Sequence, residues 1–288
     1  MILAPLRGVT IRSFRETFAD EIRAAGFTEA ITPFITANAG YDPLRDKELR
    51  DQGLGIRDQG LRVTPQFIGK DPVALRTCLE KVKAAGYDTA DLNCGCPFPM
   101  VRNKGRGSGI LRTPDVLRCM LGVGCAVMGP GKFSIKARLG VDRNDELLKL
   151  MPMINEFPLR FLTVHARTAR QMYAGVCDWK AVEAIENSAQ VPVVRNGDIA
   201  CIGTSGHPTI RPVMVGRSFI RCLGVGEDSG ELLRRYIAAS QAELCGDRPV
   251  LGRMKELVAY WKDLPRWKRR WNVIKLCRTV DELKSCLV

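Results

Sequence analysis

Short apolar runs alternate with helical patterns along most of the chain. Eight of these runs are apolar or rich in β-branched residues, and most of the segments between them are long enough for a crossover helix. The predicted strands are Ile2–Pro5, Ala30–Thr36, Arg62–Phe67, Thr89–Leu92, Phe133–Arg138, Arg160–Val164, Val191–Arg195 and Arg211–Val215. Eight consecutive βα units predict an α/β fold of the (β/α)8, or TIM barrel, type.

The pattern changes near Ser229, where strands stop and helical spacing takes over. We therefore predict two domains, a barrel of residues 1–228 and a small all-helical domain of residues 229–288. Within the barrel, Pro72–Gly86 and Asn144–Asn155 are the clearest helices. The connection Ala200–Pro212 is short and rich in Gly and Pro, so its helix is predicted to be vestigial. The tail helices are predicted at Glu231–Leu244, Leu251–Lys262, Leu264–Leu276 and Val280–Leu287.

Composition limits the classes of protein that fit. The 288 residues carry a formal net charge of +13, which indicates either a polyanionic partner or a solubilising charged surface. The 11 cysteines are an odd number without a disulfide framework, so free thiols in a reducing compartment, the cytoplasm, are expected. We predict no signal peptide, and no apolar run reaches the ~18 residues of a membrane span.

Polar or special residues stand at the ends of the predicted strands. In a TIM barrel the carboxyl ends of the strands meet at one face, where active sites form. This order along the chain predicts a single site built from many strands. The strand-end residues are Ala4, Pro5, Leu6, Gln66, Asn93, Lys136, Arg138, His165, Asn196, Gly197, Asp198, Gly216 and Arg217.

The segment Asp91–Pro97, DLNCGCP, resembles the signature of the dihydrouridine synthases. Seven further pieces follow the order of that family: LAPLRGVT, PQFIG, KARLG, HARTARQMYAG, NGDI, VMVGR and, in the tail, RMKEL. The resemblance covers nearly the whole chain. It implies an FMN-dependent enzyme that reduces uridine to 5,6-dihydrouridine in tRNA, with FMN recharged by NADPH or NADH.

The resemblance implies that Cys96 is the general acid. Reduction adds a hydride to C6 of uracil and a proton to C5, and a thiol with an ordinary pKa near ~8.5 is protonated at neutral pH. The alternative is an inert buried cysteine. Cys94 lies two residues away but does not match the acid of the family. No second Cys/His pair has zinc spacing, so no metal is expected.

Further roles are expected around the flavin. Lys136 is expected to stabilise negative charge on the reduced ring, His165 to lie near the phosphate or ring, and Gln66 to pair with the pyrimidine edge. The second histidine, His207, is interpreted as structural. The loops after strands seven and eight are expected to bind the phosphate. The complete expected cofactor set is Ala4, Pro5, Leu6, Gln66, Lys136, His165, Asn196, Gly197, Asp198, Gly216 and Arg217.

RNA contacts are expected in two regions. Near the flipped base we expect Asn93, Arg138, Arg167 and Lys104, with Tyr173 stacking nearby. The segment Lys104–Gly109 is interpreted as a mobile flap or as a plain flexible loop. In the tail, Trp267 and Trp271 recur with apolar neighbours at helical spacing and are predicted to pack as core. The cations expected to face tRNA there are Arg266, Lys268, Arg269, Arg270 and Lys275.

The chain departs from the family in a few places. Pro99-Met100 stand where the family often has a lysine, and the usual proline is missing near Arg221-Cys222. Three readings stay open: a monomeric tRNA dihydrouridine synthase, a flavin barrel reductase of free pyrimidines or other small molecules, and an RNA-binding relative without activity. The basic tail face also fits a solvated surface helix or an interfacial membrane helix.

Overall fold

The strands of the barrel belong to a single sheet. The computed structural model describes residues 1–49, 57–58, 60–200 and 212–287. Within these residues the strands are β1 Ile2–Leu3, β2 Glu29–Ile31, β3 Ile35–Thr36, β4 Arg57–Asp58, β5 Leu61–Thr64, β6 Gln66–Ile68, β7 Ala90–Cys94, β8 Phe133–Arg138, β9 Leu162–His165, β10 Val193–Asn196 and β11 Val213–Val215.

The sheet closes on itself. From β6 to β11 each strand pairs in parallel with the next, and β11 pairs with β1. β1 pairs with β2 and β2 with β5, while β3 pairs with β6. β2 and β3 are two halves of one bent strand, and so are β5 and β6, which Pro65 separates. The ring therefore has eight parallel positions, which confirms the predicted barrel. The short strand β4 runs antiparallel to β5 and has no counterpart among the predicted strands.

Helices follow most strands. In the described residues they are α1 Arg12–Thr17, α2 Ala19–Ala24, α3 Pro72–Ala84, α4 Pro99–Arg102, α5 Pro114–Met128, α6 Glu146–Ile154, α7 Trp179–Ser188, α8 Arg217–Leu223, α9 Ser229–Glu243, α10 Asp247–Val258, α11 Pro265–Ile274 and α12 Val280–Ser285. Short 3-10 helices span Pro43–Arg45 and Gly107–Arg112.

Local sequence explains why α3 forms where it is predicted. The side chain of Asp71 accepts a hydrogen bond from the Val73 amide at 2.9 Å, and Pro72 occupies the first helical position. A cap and a proline at this point are typical of helix starts. Residues 201–211, which hold most of the connection predicted to have a vestigial helix and His207, lie outside the described residues.

One apolar cluster joins the barrel to the tail helices. Phe14 of α1 packs against Tyr236 of α9, with ring centroids 5.9 Å apart. Trp261 is fully buried and donates its indole N–H to the carbonyl of Ile220 in α8 at 2.6 Å. A Cβ on Gly224 would lie 2.4 Å from the Trp261 ring, so only glycine leaves room for the indole. The tail is thereby anchored on α1 and α8, while the predicted boundary at residue 228 stays a prediction.

In the part of the chain that the structure describes, no helix combines the length and the apolar character that crossing a membrane requires.

Candidate active site

A cavity of about 770 Å³ opens at the carboxyl ends of the strands. This volume lies within the range of ~300–1,000 Å³ that is usual for ligand pockets. The cavity brings together expected residues from six strand ends. The expected residues that line it are Ala4, Pro5, Leu6, Asn93, Cys96, Lys136, Arg138, His165, Asn196, Gly197, Gly216 and Arg217.

The backbone around Cys96 is fixed from two sides. The Asn93 side-chain oxygen accepts hydrogen bonds from the amides of Gly95 at 3.1 Å and Cys96 at 2.8 Å. The amide and hydroxyl of Ser108 donate to the Cys96 carbonyl at 3.1 and 2.9 Å. Gly107 has a φ of +57°, and a Cβ there would lie 2.7 Å from that of Cys96. The thiol is therefore held in a preformed position.

These contacts correct the interpretation of Lys104–Gly109 as a mobile flap. Gly107, Ser108 and Gly109 are buried and begin a 3-10 helix that packs on Cys96. Lys104 is exposed and does not line the cavity. The second half of the segment is thus part of the wall behind the thiol.

A buried chain of hydrogen bonds supports Asn93. The Asn93 amide donates to the side-chain oxygen of Gln66 at 2.8 Å, and the Gln66 amide donates to Asp91 at 2.8 Å. Ser134 donates to the other oxygen of Asp91 at 2.6 Å. Burial raises the pKa of Asp91 to about 6, although the hydrogen bonds from Ser134 and Gln66 lower it. Gln66 therefore lies behind the cavity wall rather than in it, and its contact with a cofactor stays a prediction.

The two cysteines of the motif differ in their surroundings. Cys96 lines the cavity and is 7% exposed, whereas Cys94 is fully buried in the hydrophobic core. Burial raises the pKa of Cys96 above its usual value, more than the hydrogen bond from the Phe98 backbone and the nearby Arg138 and Arg7 lower it. Burial also raises the pKa of Cys94. Cys96 is therefore protonated at neutral pH and open to a ligand, and Cys94 is closed off.

Lys136 and His165 form the floor of the cavity. Lys136 donates to the Asn196 side-chain oxygen at 2.9 Å, and the Asn196 amide donates to the Met214 carbonyl at 2.8 Å. Desolvation and the neighbouring Arg138 lower the pKa of Lys136 to about 8. Burial, together with the charges of Lys136 and Arg138, lowers the pKa of His165. His165 is therefore neutral, and its buried Nδ1 has no hydrogen-bond partner among the described residues.

Two buried arginines hold the loop that follows β9. Arg138 donates to the carbonyls of Gly95, Thr168 and Met172, and Arg167 donates to those of Ala174 and Gly175. Arg138 still lines the cavity, but Arg167 does not. Arg167 thus donates to its own loop and, outside that loop, to Asp198, and the RNA contact expected of it stays a prediction.

The loops after β10 and β11 meet at Arg217. Asp198 accepts hydrogen bonds from Arg217, at 2.6 Å, and from Arg167. Gly216 lets this turn approach the first strand, because a Cβ there would lie 3.1 Å from that of Ala4. Gly216 and Arg217 line the cavity, whereas Asp198 stands outside it.

Several cavity residues are not among the expected site residues. Arg7 and Phe34 come from the segments after β1 and β2, and Phe98 and Met100 from the start of α4. Glu256 and Tyr260 come from α10 and the turn after it, so the tail supplies part of the wall. The RMKEL match includes Glu256 and is the available sequence signal for the tail contribution.

Helix α11 presents the predicted basic face. Trp267 and Ile274 are fully buried and Leu264 is 8% exposed, which confirms that this side is core. Trp271 is half-buried against the same cluster. Arg270 is half-buried, with its guanidinium 5.8 Å from the Trp267 ring centroid. The exposed cations of this face are Arg266, Lys268, Arg269 and Lys275.

Fold and cavity together define a class of protein, a (β/α)8 barrel whose cavity at the strand ends is lined by a protonated thiol and by the cations Lys136 and Arg138. Among the described residues no cluster of three or more metal-ligating side chains occurs. The family model for dihydrouridine synthase (Dus) matches residues 2–221. The chain therefore belongs to the dihydrouridine synthase family.

Relatives agree with this assignment. The chain is 30% identical over 203 residues to tRNA-dihydrouridine synthase B of Vibrio cholerae, covering 69% of this chain and 60% of the relative. It is 24% identical over 310 residues to tRNA-dihydrouridine(16) synthase of Haemophilus influenzae, covering 99% of this chain and 97% of the relative. It is 32% identical over 231 residues to tRNA-dihydrouridine(16) synthase of Salmonella typhimurium, covering 75% of this chain and 72% of the relative.

Solved structures share the fold at low sequence identity. The old yellow enzyme homologue from Zymomonas mobilis superposes with a TM-score of 0.56 at 12% identity, covering 77% of this chain and 85% of that chain. The old yellow enzyme from Trypanosoma cruzi superposes with a TM-score of 0.54 at 13% identity, with the same coverage. At this identity the likeness concerns the barrel architecture.

Proposed function

We propose that the protein reduces uridine to 5,6-dihydrouridine in tRNA, as a cytoplasmic monomer that uses FMN and NADPH or NADH. The observation that carries this proposal is Cys96, whose backbone is held by Asn93 and Ser108 and whose protonated thiol lines the cavity of a dihydrouridine synthase family member. The names of the relatives support tRNA as the substrate.

The residues present fit a flavin mononucleotide. His165 offers a buried Nδ1 without a partner among the described residues, and Gly216 brings the turn before Arg217 close to Ala4, so that both residues line the cavity. We assign the phosphate to Asn196–Gly197 and Gly216–Arg217, and the ring to Lys136 and the end of β1. When bound, the flavin supplies the hydride that adds to C6 of uracil, and the nicotinamide dinucleotide restores it.

Cys96 supplies the proton that adds to C5. Hydride and proton together saturate the C5–C6 double bond, and the thiolate then regains its proton from water. Since its pKa is raised, the thiol is fully protonated before the reaction. A positioned general acid contributes about 10²- to 10⁴-fold to a rate. The contacts from Asn93 and Ser108 keep the thiol where the base must arrive.

We assign tRNA docking to the helical domain, residues 229–288. Extruding a base from its stack costs a few kcal/mol, which contacts elsewhere on the RNA must offset. The exposed cations of α11 can track a phosphate backbone. The net charge of +13 supports a polyanionic partner.

The test compares two cysteine variants on unmodified tRNA. Dihydrouridine formed per minute is measured by mass mapping, and flavin reduction by NADPH is followed by absorbance. Cys96→Ala should lower tRNA reduction by about 100-fold or more and leave flavin reduction unchanged. Cys94→Ala should affect tRNA reduction much less. Equal activity on tRNA and on free uridine monophosphate would contradict the tRNA assignment, and an essential Cys94 would contradict the choice of acid.

A further inference from the structure

Large apolar side chains surround the mouth of the cavity and stay exposed. Phe98 is 43% exposed, Met100 76% and Tyr173 45%, and all three line the cavity. Exposed apolar groups that cluster around a pocket are typical of binding surfaces. The start of α4 therefore offers an apolar surface at the mouth instead of a charge.

The backbone at Phe98 and the ring of Tyr173 are held in place before any ligand arrives. The Phe98 carbonyl accepts the amides of Val101 and Arg102, each at 2.9 Å, so the residue is fixed at the start of α4. The centroid of the Tyr173 ring lies 5.4 Å from the Arg138 guanidinium and 5.1 Å from that of Arg217, and the residue is still 45% exposed. Rigid aromatic groups lose little conformational entropy when a ligand stacks on them.

Charge identifies the kind of ligand. Besides Lys136 and Arg217, which are assigned to the flavin, Arg7 and Arg138 line the same cavity, against one carboxylate, Glu256, among the described residues. A cationic groove combined with exposed aromatic rings is the arrangement by which proteins hold single-stranded nucleic acid, since bases stack on the rings while phosphates meet the cations.

We propose that Phe98, Met100 and Tyr173 form a stacking rim that holds the bases next to the target uridine after that uridine enters the cavity. This inference rests on the proposed function and goes beyond it, because it assigns substrate contacts to residues outside the chemistry. The rim replaces the stacking that the neighbouring bases lose when the uridine leaves their stack.

Removal of one ring of the rim should weaken the affinity for tRNA without changing its dependence on salt. Phe98→Ala should weaken binding of unmodified tRNA roughly 5- to 150-fold, the range for removal of one base–aromatic stack. The slope of log Kd against log salt should stay unchanged, because no phosphate contact is removed. Tyr173→Phe keeps the ring and should bind like the original protein, whereas Tyr173→Ala should not. Val73→Ala is the matched control, since Val73 is 73% exposed on α3 and does not line the cavity.

A double-mutant cycle provides the decisive measurement. The target uridine is first mapped by mass, and tRNAs are made with an abasic site on its 5′ or 3′ side. One of the two abasic tRNAs should bind the original protein more weakly than intact tRNA does. The Phe98→Ala variant should bind that abasic tRNA and intact tRNA equally well, as expected if Phe98 contacts the missing base. Additive effects for both sites would overturn the rim. So would a Phe98→Ala defect that slows flavin reduction by NADPH to the same degree, because the nicotinamide would then be the occupant. If the original protein forms no dihydrouridine, the proposed function fails first.

Discussion

Gln66→Met tests whether the buried chain behind Cys96 positions the thiol. Methionine has nearly the volume of glutamine but neither donates nor accepts a hydrogen bond of comparable strength. The substitution removes the 2.8 Å bonds to Asp91 and from Asn93 and leaves both partners buried. Each unsatisfied buried group costs about 1–3 kcal/mol, so the free energy of unfolding should fall by roughly 2–6 kcal/mol.

The destabilisation should depend on pH with a defined sign. The pKa of Asp91 is about 6, and the Gln66 hydrogen bond is one of the contacts that lower it. Without Gln66 this pKa rises further, so Asp91 becomes protonated in the folded variant at pH values where the original carboxyl is ionised. Below pH 6, Asp91 is protonated in both folded proteins. Just above pH 6, Asp91 is ionised in the original protein but still protonated in the variant. The stability deficit should therefore be larger at a pH of about 7.5 than at a pH of about 5.

Urea unfolding at the two pH values measures the deficit, and dihydrouridine formation on tRNA measures the effect on the thiol. Asn93 freed from Gln66 can release the amide of Cys96, so kcat should fall more than KM rises. Gln241→Met, at an exposed position of α9, is the matched control and should change stability by less than about 0.5 kcal/mol. A stable Gln66→Met variant with full kcat would refute the positioning role.

Charges around the cavity and on the tail give three further tests. Arg217→Ala should lower flavin affinity about 10-fold at equal thermal stability, because the variant cannot make a charged hydrogen bond to phosphate; unchanged occupancy by absorbance would contradict the placement. The tRNA reduction rate should fall as pH rises through about 8, where Lys136 releases its proton while Cys96 keeps its own, and Lys136→Arg should move that fall to higher pH in a kcat/KM profile. Changing Lys268, Arg269 and Lys275 to Ala should reduce the slope of log Kd for tRNA against log salt by about 0.7–0.9 for each phosphate that is no longer neutralised. An unchanged slope would mean that this face is only solvated and does not contact tRNA.

The barrel itself can be predicted because each strand carries its own apolar signal. The predicted strand Phe133–Arg138 has the same bounds in the structure. The strand predicted over Ala30–Thr36 is divided into β2 and β3, with Pro33 in the gap, where proline cannot donate to the ladder. β4 is not predicted, because a strand of two residues is too short to show an alternation of apolar and polar positions.

The site is predicted less completely, because the burial of a side chain and the groups to which it hydrogen-bonds depend on tertiary structure. Gln66 is expected near a strand end, but β6 continues to Ile68 and leaves the amide inside the barrel. Arg167 is expected from the sequence to contact RNA, yet it donates to the carbonyls of Ala174 and Gly175 in its own loop and to Asp198 in the loop after β10. Glu256 and Tyr260 line the cavity from α10 and the turn after it, and apart from the RMKEL match, which includes Glu256, no local sequence pattern indicates this contribution.

The fit between Trp261 and Gly224 bears on how such a tail could change during evolution. An indole ring that closes against a backbone without a Cβ tolerates few replacements on either side. Phe14 and Tyr236 impose a similar match between α1 and α9. If the tail were replaced by that of a relative, the faces of α1 and α8 that pack against it would therefore have to be replaced as well. A new RNA preference would thus be inherited together with part of the barrel surface, and intermediates that exchange only the tail would become unstable before they gained a new substrate.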